Sequence, residues 1–290
     1  MIAQSSQNQG MHPYANKRVV LTSKHDKLKL IKPAFDIYVG CELFESQMDT
    51  DQLGTFSGEI ERMAPPYETA IVKARLGMNS TSTPIGIASE GSVGPDPVVP
   101  LIHSNIEYLV LVDDENEIII SEMYRSFDIL AATVTASPGQ NIADFLKKAD
   151  FPNHGLIVRP NSDSKSHCIK GITNYDRLLE AVEISSQHSP NGFVVIESDL
   201  RAMHSPTRQK NITEVANLLA KRVNQLCPQC QIPGWGRTGY ERGLNCSECG
   251  LKNENAIRQE ILGCVKCDCT QLGKVIAQSL EPSQCDFCNP

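Results

Sequence analysis

The sequence predicts a two-part molecule: a mixed α/β domain followed by a small module folded around metal. Three observations predict it. Strand-like and helix-like patterns alternate from residue 18 to about residue 222. Nine of the eleven cysteines fall between Cys227 and Cys288, and eight of those nine stand in C-x-x-C pairs. Residues 1–17 are polar, with no apolar segment, and are expected to be a disordered tail. The expected parts are therefore a tail (1–17), an α/β domain (18–222) and a cysteine module (223–290).

Composition narrows the function classes. Hydrophobic residues make up 40% of the chain and charged residues 21%, the balance of a soluble globular protein. No apolar run approaches the roughly 18 residues that a membrane span needs. The N-terminus lacks the apolar core of a signal peptide, so the expected compartment is the cytoplasm. A net charge of −7 supplies no bulk basic field for nucleic acid, which makes nucleic acid an unlikely partner.

The elements follow in order. "RVVLTS" from residue 18 reads as a buried strand, and the polar turn "SKHDK" leads into a helix, "KLKLIKPAFDIYVG". "CELFES" is the next strand, and "MDTDQLGTFSGEIER" a Gly- and acid-rich loop. Pro65-Pro66 then open a helix, since proline is tolerated in a first turn. Tyr67, Ile71, Ala74 and Met78 fall at helical spacing and are expected to face the core, with Gly77 and Asn79 marking the end. "PIGIASEGSVG" is a strand expected to end on Glu90. "IEYLVLV" and "EIII" form a hairpin whose acids, Asp113 and Glu115, read as turn chemistry. Then come the helix "IADFLKKAD", the strands "HGLIVRP" and "CIKGI", the helix "NYDRLLEAVEIS" and the strand "GFVVIESDL". The final helix carries one apolar stripe, Ile212, Val215, Ala216, Leu219, Val223 and Leu226. It runs into Cys227 without a linker, which predicts a cysteine module held at a fixed angle.

The cysteine pairs are Cys227/Cys230, Cys246/Cys249, Cys264/Cys267 and Cys285/Cys288. Each C-x-x-C turn aims two thiolates at one ion, and two turns close a tetrahedral shell. Four pairs predict two closed, structural Zn²⁺ sites, each supplying on the order of 10 kcal/mol of folding energy. Sequential pairing is the simplest arrangement, and cross-bracing is the alternative. Cys269 is left over, as a free thiol or a spare ligand. A redox C-x-x-C would need only one pair. Residues 223–290 hold 6 Lys/Arg and 7 Asp/Glu. Each four-thiolate zinc adds about two further negative charges, so phosphate attraction there is weak. Trp235 reads as core or as a contact with the neighbouring domain, with a base-stacking platform as the alternative. The module could also carry a homodimer or a protein-partner contact.

Three stretches of the larger domain carry candidate chemistry. In "LTSKHDK", Thr22 and Ser23 end a strand, Ser23 with Asp26 approaches a capping box, and Lys27 adds charge where helix N–H groups bind anions. In "HSPTRQKN", Ser205 and Pro206 read as N-cap and N1. Arg208 then sits in the first turn, where a cation costs roughly 0.3–1 kcal/mol against the helix dipole unless an anion binds. In "GIASEGSVG", Glu90 stands among small residues, with Glu68 and Lys73 on the preceding helix. Acids and lysines around a glycine-lined pocket suit a divalent metal carrying a polyphosphate.

These motifs resemble the inosine triphosphate pyrophosphatase family. Thr22 and Lys27 match its T-x-N-x-x-K strand end. Glu68, Ala70, Lys73 and Ala74 match its E-N-A-x-x-K-A helix. Ala88, Glu90 and Ser92 match its A-D-D-S-G strand, with Glu90 in the place of the catalytic acid. Arg208 matches its late S-H-R element. The resemblance covers about residues 18–95 and implies an α/β fold with a central cleft. It also implies Mg²⁺-dependent release of pyrophosphate from nucleoside triphosphates or related phosphoanhydrides. Glu90, Glu68 and Lys73 would then be catalytic, Thr22, Ser23, Lys27 and Arg208 would bind phosphate, and Glu59 or Glu61 of "GEIER" would be a further ligand. The alternative is a non-catalytic nucleotide-recognition or interaction protein. The whole chain, through "DTDQLGTFSGEIER", "KARLGM", "ASEGS", "SPTR" and "PGWG", also resembles a bacterial domain-of-unknown-function family with C-terminal zinc ribbons, which implies the architecture alone.

Overall fold

The computed structural model describes residues 11–24, 26–50, 64–162 and 167–290. Glu59 and Glu61, expected as further ligands, lie outside them. So does the start of the expected tail. Within the expected tail the chain is held down at Tyr14, which is buried and whose hydroxyl donates to Asp113 Oδ2 at 2.6 Å. Asp113 also accepts from the Asn116 N–H at 3.0 Å, the turn chemistry expected of it.

The chain builds a mixed α/β body from two sheets rather than one. β1 (Arg18–Thr22) is followed by α1 (Leu28–Tyr38), β2 (Glu42–Glu45), α2 (Pro66–Thr81), β3 (Ile85–Pro95), β4 (His103–Asp113) and β5 (Ile118–Ser126). The strand order is β2-β1-β3-β4-β5. β1 is parallel to both of its neighbours, and β3, β4 and β5 are antiparallel. Val19, Leu21, Ile87, Leu109 and Leu111 face α1, while Val20, Ala88, Val110 and Val112 face α2, the period-2 alternation of a sheet covered on both sides. From β1 the chain goes through α1 to β2 on one side, and then through α2 to β3 on the other. The carboxyl end of β1 is therefore a topological switch point, the place where open α/β sheets form a crevice.

The second sheet has the order β6-β9-β7-β8 and is antiparallel throughout. Its strands are β6 (Thr133–Ala136), β7 (Leu156–Pro160), β8 (Ile169–Ile172) and β9 (Val194–Ser198). α3 (Ala143–Lys148) and α4 (Tyr175–Gln187) pack Phe145, Leu178, Ala181 and Val182 on one face of it. α5 (Pro206–Asn224) then returns to the first sheet, where Ile212, Val215, Ala216, Leu219 and Val223 of the expected stripe are buried beside α1; Leu226, the sixth, lies beyond the helix and pairs with Pro233.

Two expectations for α2 are corrected. Its buried face is Thr69, Ala70, Lys73, Ala74, Gly77 and Met78, so Tyr67 is turned outward, 37% exposed. Gly77 does not end the helix. A Cβ there would stand 1.8 Å from Thr22 Oγ1, so glycine lets α2 approach the end of β1, and the helix stops later at Ser82, in the left-handed region with φ 51°. The expected cap at Ser23 is also absent: α1 begins at Leu28, after Asp26 takes φ 63°.

The cysteine module is a three-stranded meander, β10 (Gly236–Asn245), β11 (Lys252–Gly263) and β12 (Thr270–Val275). It is seated on the α/β body. Ile232 and Val265 pack against the main core, and a Cβ on Gly234 would meet Ile120 at 2.8 Å. Arg222 donates to the Ser121 carbonyl at 3.0 Å, and Lys266 to the Asn116 carbonyl at 2.7 Å. Trp235 lies in this junction, beside Tyr38, Glu122 and Arg222. Among the described residues no helix is long and apolar enough to cross a membrane.

Candidate anion site and metal centres

β1 ends at Thr22, opposite Ala88. β3 runs on to Pro95, so Glu90 lies inside a strand and not at its end as expected. It nevertheless stands just past the end of β1, at the switch point. Ser89 and Gly91 point to the α1 side of the sheet and Glu90 to the α2 side. Each side brings cations to them. Lys73 Nζ donates to Glu90 Oε2 at 2.5 Å, and both side chains are buried. Lys27 Nζ donates to Ser89 Oγ at 2.9 Å, again with both residues buried.

Arg208 completes the cluster. It is 1% exposed, although it sits in the first turn of α5. Its Nε donates to Glu107 Oε1 at 2.6 Å, its Nη2 to Glu107 Oε2 at 3.3 Å and its Nη1 to the Leu200 carbonyl at 2.7 Å. Asn105 donates to Glu107 at 3.0 Å, and Asn211 to Asn105 at 2.7 Å. Ser205 and Pro206 do take the N-cap and N1 positions, but the Ser205 side chain makes no cap. Instead the Thr207 N–H donates to His154 Nε2 at 3.4 Å. His154 Nδ1 lies 3.0 Å from Asp150 Oδ2, which orients the ring.

Three buried cations and two buried carboxylates thus share one region. Burial, followed by repulsion from Arg208, pushes the Lys27 ammonium down to about 8. An anion placed among Lys27, Lys73 and Arg208 would relieve that repulsion.

The structure does not bring every expected residue here. Glu68 is exposed on α2 and far around the helix from Lys73, because five positions at 100° each place it 140° away. Thr22 is fully buried with its hydroxyl under Gly77 on the α2 side, away from Lys27. Ser23 is buried and donates to the Lys24 carbonyl at 2.7 Å. Glu107 and Asn105 were missed. Their signal was available: they fall on the same face of β4 as the buried Leu109 and Leu111.

The cysteines form two groups, Cys227/Cys230/Cys264/Cys267 and Cys246/Cys249/Cys285/Cys288. The simplest expectation, sequential pairing, is overturned in favour of cross-bracing. The reason is the meander: each antiparallel strand carries the chain to the opposite end, so every second pair meets. Sulfur–sulfur distances are 3.7 Å for Cys227–Cys267, 3.5 Å for Cys230–Cys264, 3.8 Å for Cys246–Cys288 and 3.7 Å for Cys249–Cys285. A tetrahedron with Zn–S bonds near 2.3 Å has edges of about 3.8 Å, so either group could hold such an ion. Burial raises the Cys227 thiol, but the backbone N–H groups of Cys230 and Gln229 outweigh it and bring it down to about 6. The N–H groups of Cys249 and Glu248 likewise bring Cys246 down to about 7. Cys269 lies beside the first group without joining it, its thiol raised by burial and by Cys227.

No curated protein sequence matches the chain. Among solved structures, the nucleoside-triphosphatase (dITP/XTP pyrophosphatase) of Mycobacterium abscessus aligns with a TM-score of 0.26 and 14% identity, over 44% of this chain and 81% of that one. The model of the domain of unknown function DUF6671 matches residues 73–290, from Lys73 through the last cysteine pair, and the chain belongs to that family.

Proposed function

We propose that the protein binds a phosphorylated small molecule, a nucleoside triphosphate or related phosphoanhydride, at the carboxyl end of β1 and hydrolyses it. The observation that carries this reading is the convergence of Lys27, Lys73 and Arg208, each buried and each from a different element, on the stretch Ser89–Glu90–Gly91. Burying three cations is costly unless anions meet them. Glu90 and Glu107 meet part of that charge, and a phosphate chain would meet more. During anhydride cleavage these cations would neutralise the charge that develops on the leaving phosphate. A divalent ion carried by the substrate, Mg²⁺ in this reading, would polarise the phosphate. Glu90 is the carboxylate placed to hold it, in exchange for Lys73.

The two cysteine groups hold Zn²⁺ as structural ions, closed to substrate by their four thiolates. The first fixes the module to the α/β body.

A second reading is favoured by one observation. Both carboxylates are already ion-paired, Glu90 to Lys73 and Glu107 to Arg208, as suits a binding protein that recognises nucleotide without turnover. Pyrophosphate release separates the two, measured over standard and deaminated nucleoside triphosphates with Mg²⁺ or Mn²⁺. Hydrolysis by wild type and its loss in Glu90→Gln support the enzyme. Binding without turnover supports the second reading, and equal turnover by both proteins removes Glu90 from the site.

A further inference from the structure

A cavity of about 280 Å³ lies at the end of β9, lined by Ala131, Ile157, Glu197, Leu200 and Arg201 among others. Its floor follows from strand register. Val194 and Ile196 turn to α4, so Glu197 points to the opposite face, in line with its cross-strand partners Thr133 and Ile157. The volume sits near the lower end of the roughly 300–1,000 Å³ typical of small-molecule sites, enough for one heterocycle and too little for a whole nucleotide.

Two side chains there retain hydrogen-bonding capacity. Glu197 lies 3.6 Å from Arg159 and accepts no side-chain hydrogen bond among the described residues. Arg201 spends Nε and Nη2 on Asp199, at 3.0 Å and 2.6 Å, and its Nη1 has no partner among the described residues. Asp199 is committed, since it also accepts the Gly171 N–H at 3.0 Å. The cavity therefore offers an apolar floor, a carboxylate that accepts and a guanidinium edge that donates. It also adjoins the cation cluster: Leu200 lines it, and the Leu200 carbonyl is the one that accepts from Arg208.

We propose that this cavity is the recess for a nucleobase, and that Glu197 selects a base edge carrying adjacent N–H donors beside a carbonyl, the guanine type. The assignment rests on the reading of the Lys27–Lys73–Arg208 cluster as the phosphate site. A carboxylate takes the ring N–H and exocyclic amine of guanine together, and the neighbouring carbonyl suits Arg201. Adenine offers the carboxylate no such pair.

Calorimetry on the full chain with GDP, ADP, guanosine and pyrophosphate tests it. GDP should bind about tenfold more tightly than ADP, the discrimination of one bidentate pair. Glu197→Gln should erase that difference and leave pyrophosphate binding unchanged. Ala131→Leu, at an exposed position on the cavity mouth, should weaken GDP and spare pyrophosphate. The proposal is overturned if GDP and ADP bind alike to wild type, or if both variants keep the wild-type preference. If pyrophosphate fails to bind while guanosine binds in a Glu197-dependent way, the phosphate reading falls and the cavity assignment stands.

Discussion

A Cβ placed on Gly91 would stand 2.2 Å from Nη2 of Arg208 and 2.7 Å from both carboxylate oxygens of Glu107. The arginine thus reaches the switch point only because position 91 has no side chain. Gly91→Ala should push Arg208 and Glu107 apart in a region where neither can reach water. We expect a loss of about 1–3 kcal/mol of stability, the usual cost of overpacking, together with weaker protection by pyrophosphate. Denaturant unfolding with and without pyrophosphate measures both, and an unperturbed variant would mean that Arg208 is not held as described.

The Arg208–Glu107 pair is fully buried, so breaking it on one side should be worse than removing it on both. Arg208→Ala should cost about 3–5 kcal/mol by leaving Glu107 unpaired. Glu107→Gln in the Arg208→Ala background should recover part of that loss without restoring anion binding. A double-mutant cycle on unfolding free energies reads the coupling. Additive losses would show that the two residues do not act as a pair.

The depressed Lys27 has a sign that can be checked. Its ammonium titrates near 8 in the fold, against a reference value of 10.5 for a free lysine. Below pH 8 both states hold the proton, and the folded state bears the full burial cost. Between about pH 8 and 10.5 the unfolded chain holds more protons, so stability should rise, by on the order of 3 kcal/mol. Lys27→Met should remove that rise. Pyrophosphate affinity should run the other way, falling as pH passes 8, because the anion needs the charged form. Lys27→Arg, which stays charged, should flatten that fall.

Cross-bracing makes a prediction that sequential pairing does not. Wild type should carry about two zinc ions. Cys227→Ser and Cys264→Ser should lose the same ion and loosen the contact of Gly234 and Val265 with the body. Cys246→Ser and Cys285→Ser should lose the other ion and leave that contact intact. Zinc content with hydrogen exchange at Ile120 and Val265 distinguishes the two patterns. If Cys227→Ser and Cys246→Ser instead behave as one group, the meander has been misread.

Much of this was legible in the sequence, and the rest failed for identifiable reasons. The alternation of Val19 to Leu21, the α5 stripe and the C-x-x-C spacing are local patterns, and local patterns survive folding. The Lys73–Glu90 pair was legible because helix and strand are consecutive. Which cysteine pairs meet was not, since that depends on strand direction across the module. Glu107 was legible in principle, since it stands on the same face of β4 as Leu109 and Leu111, but its arginine partner was not. The burial of Arg208 could not be read from α5 alone, because its partner comes from a strand about a hundred residues earlier. Glu68 and Thr22 matched a motif, yet the rotation of α2 and the side of β1 turn them elsewhere.

The central claim is that Lys27, Lys73 and Arg208 form one anion site at the end of β1. Thermal unfolding with and without saturating pyrophosphate tests it most directly, in wild type, Lys27→Ala and Lys73→Ala. Ligand at a hundred times its dissociation constant stabilises the native state by about 2.7 kcal/mol, a readily measured shift. We expect that shift in wild type, and its loss or marked reduction in both variants, although the two lysines lie on opposite faces of the sheet. No shift in wild type, or an undiminished shift in both variants, would contradict the claim.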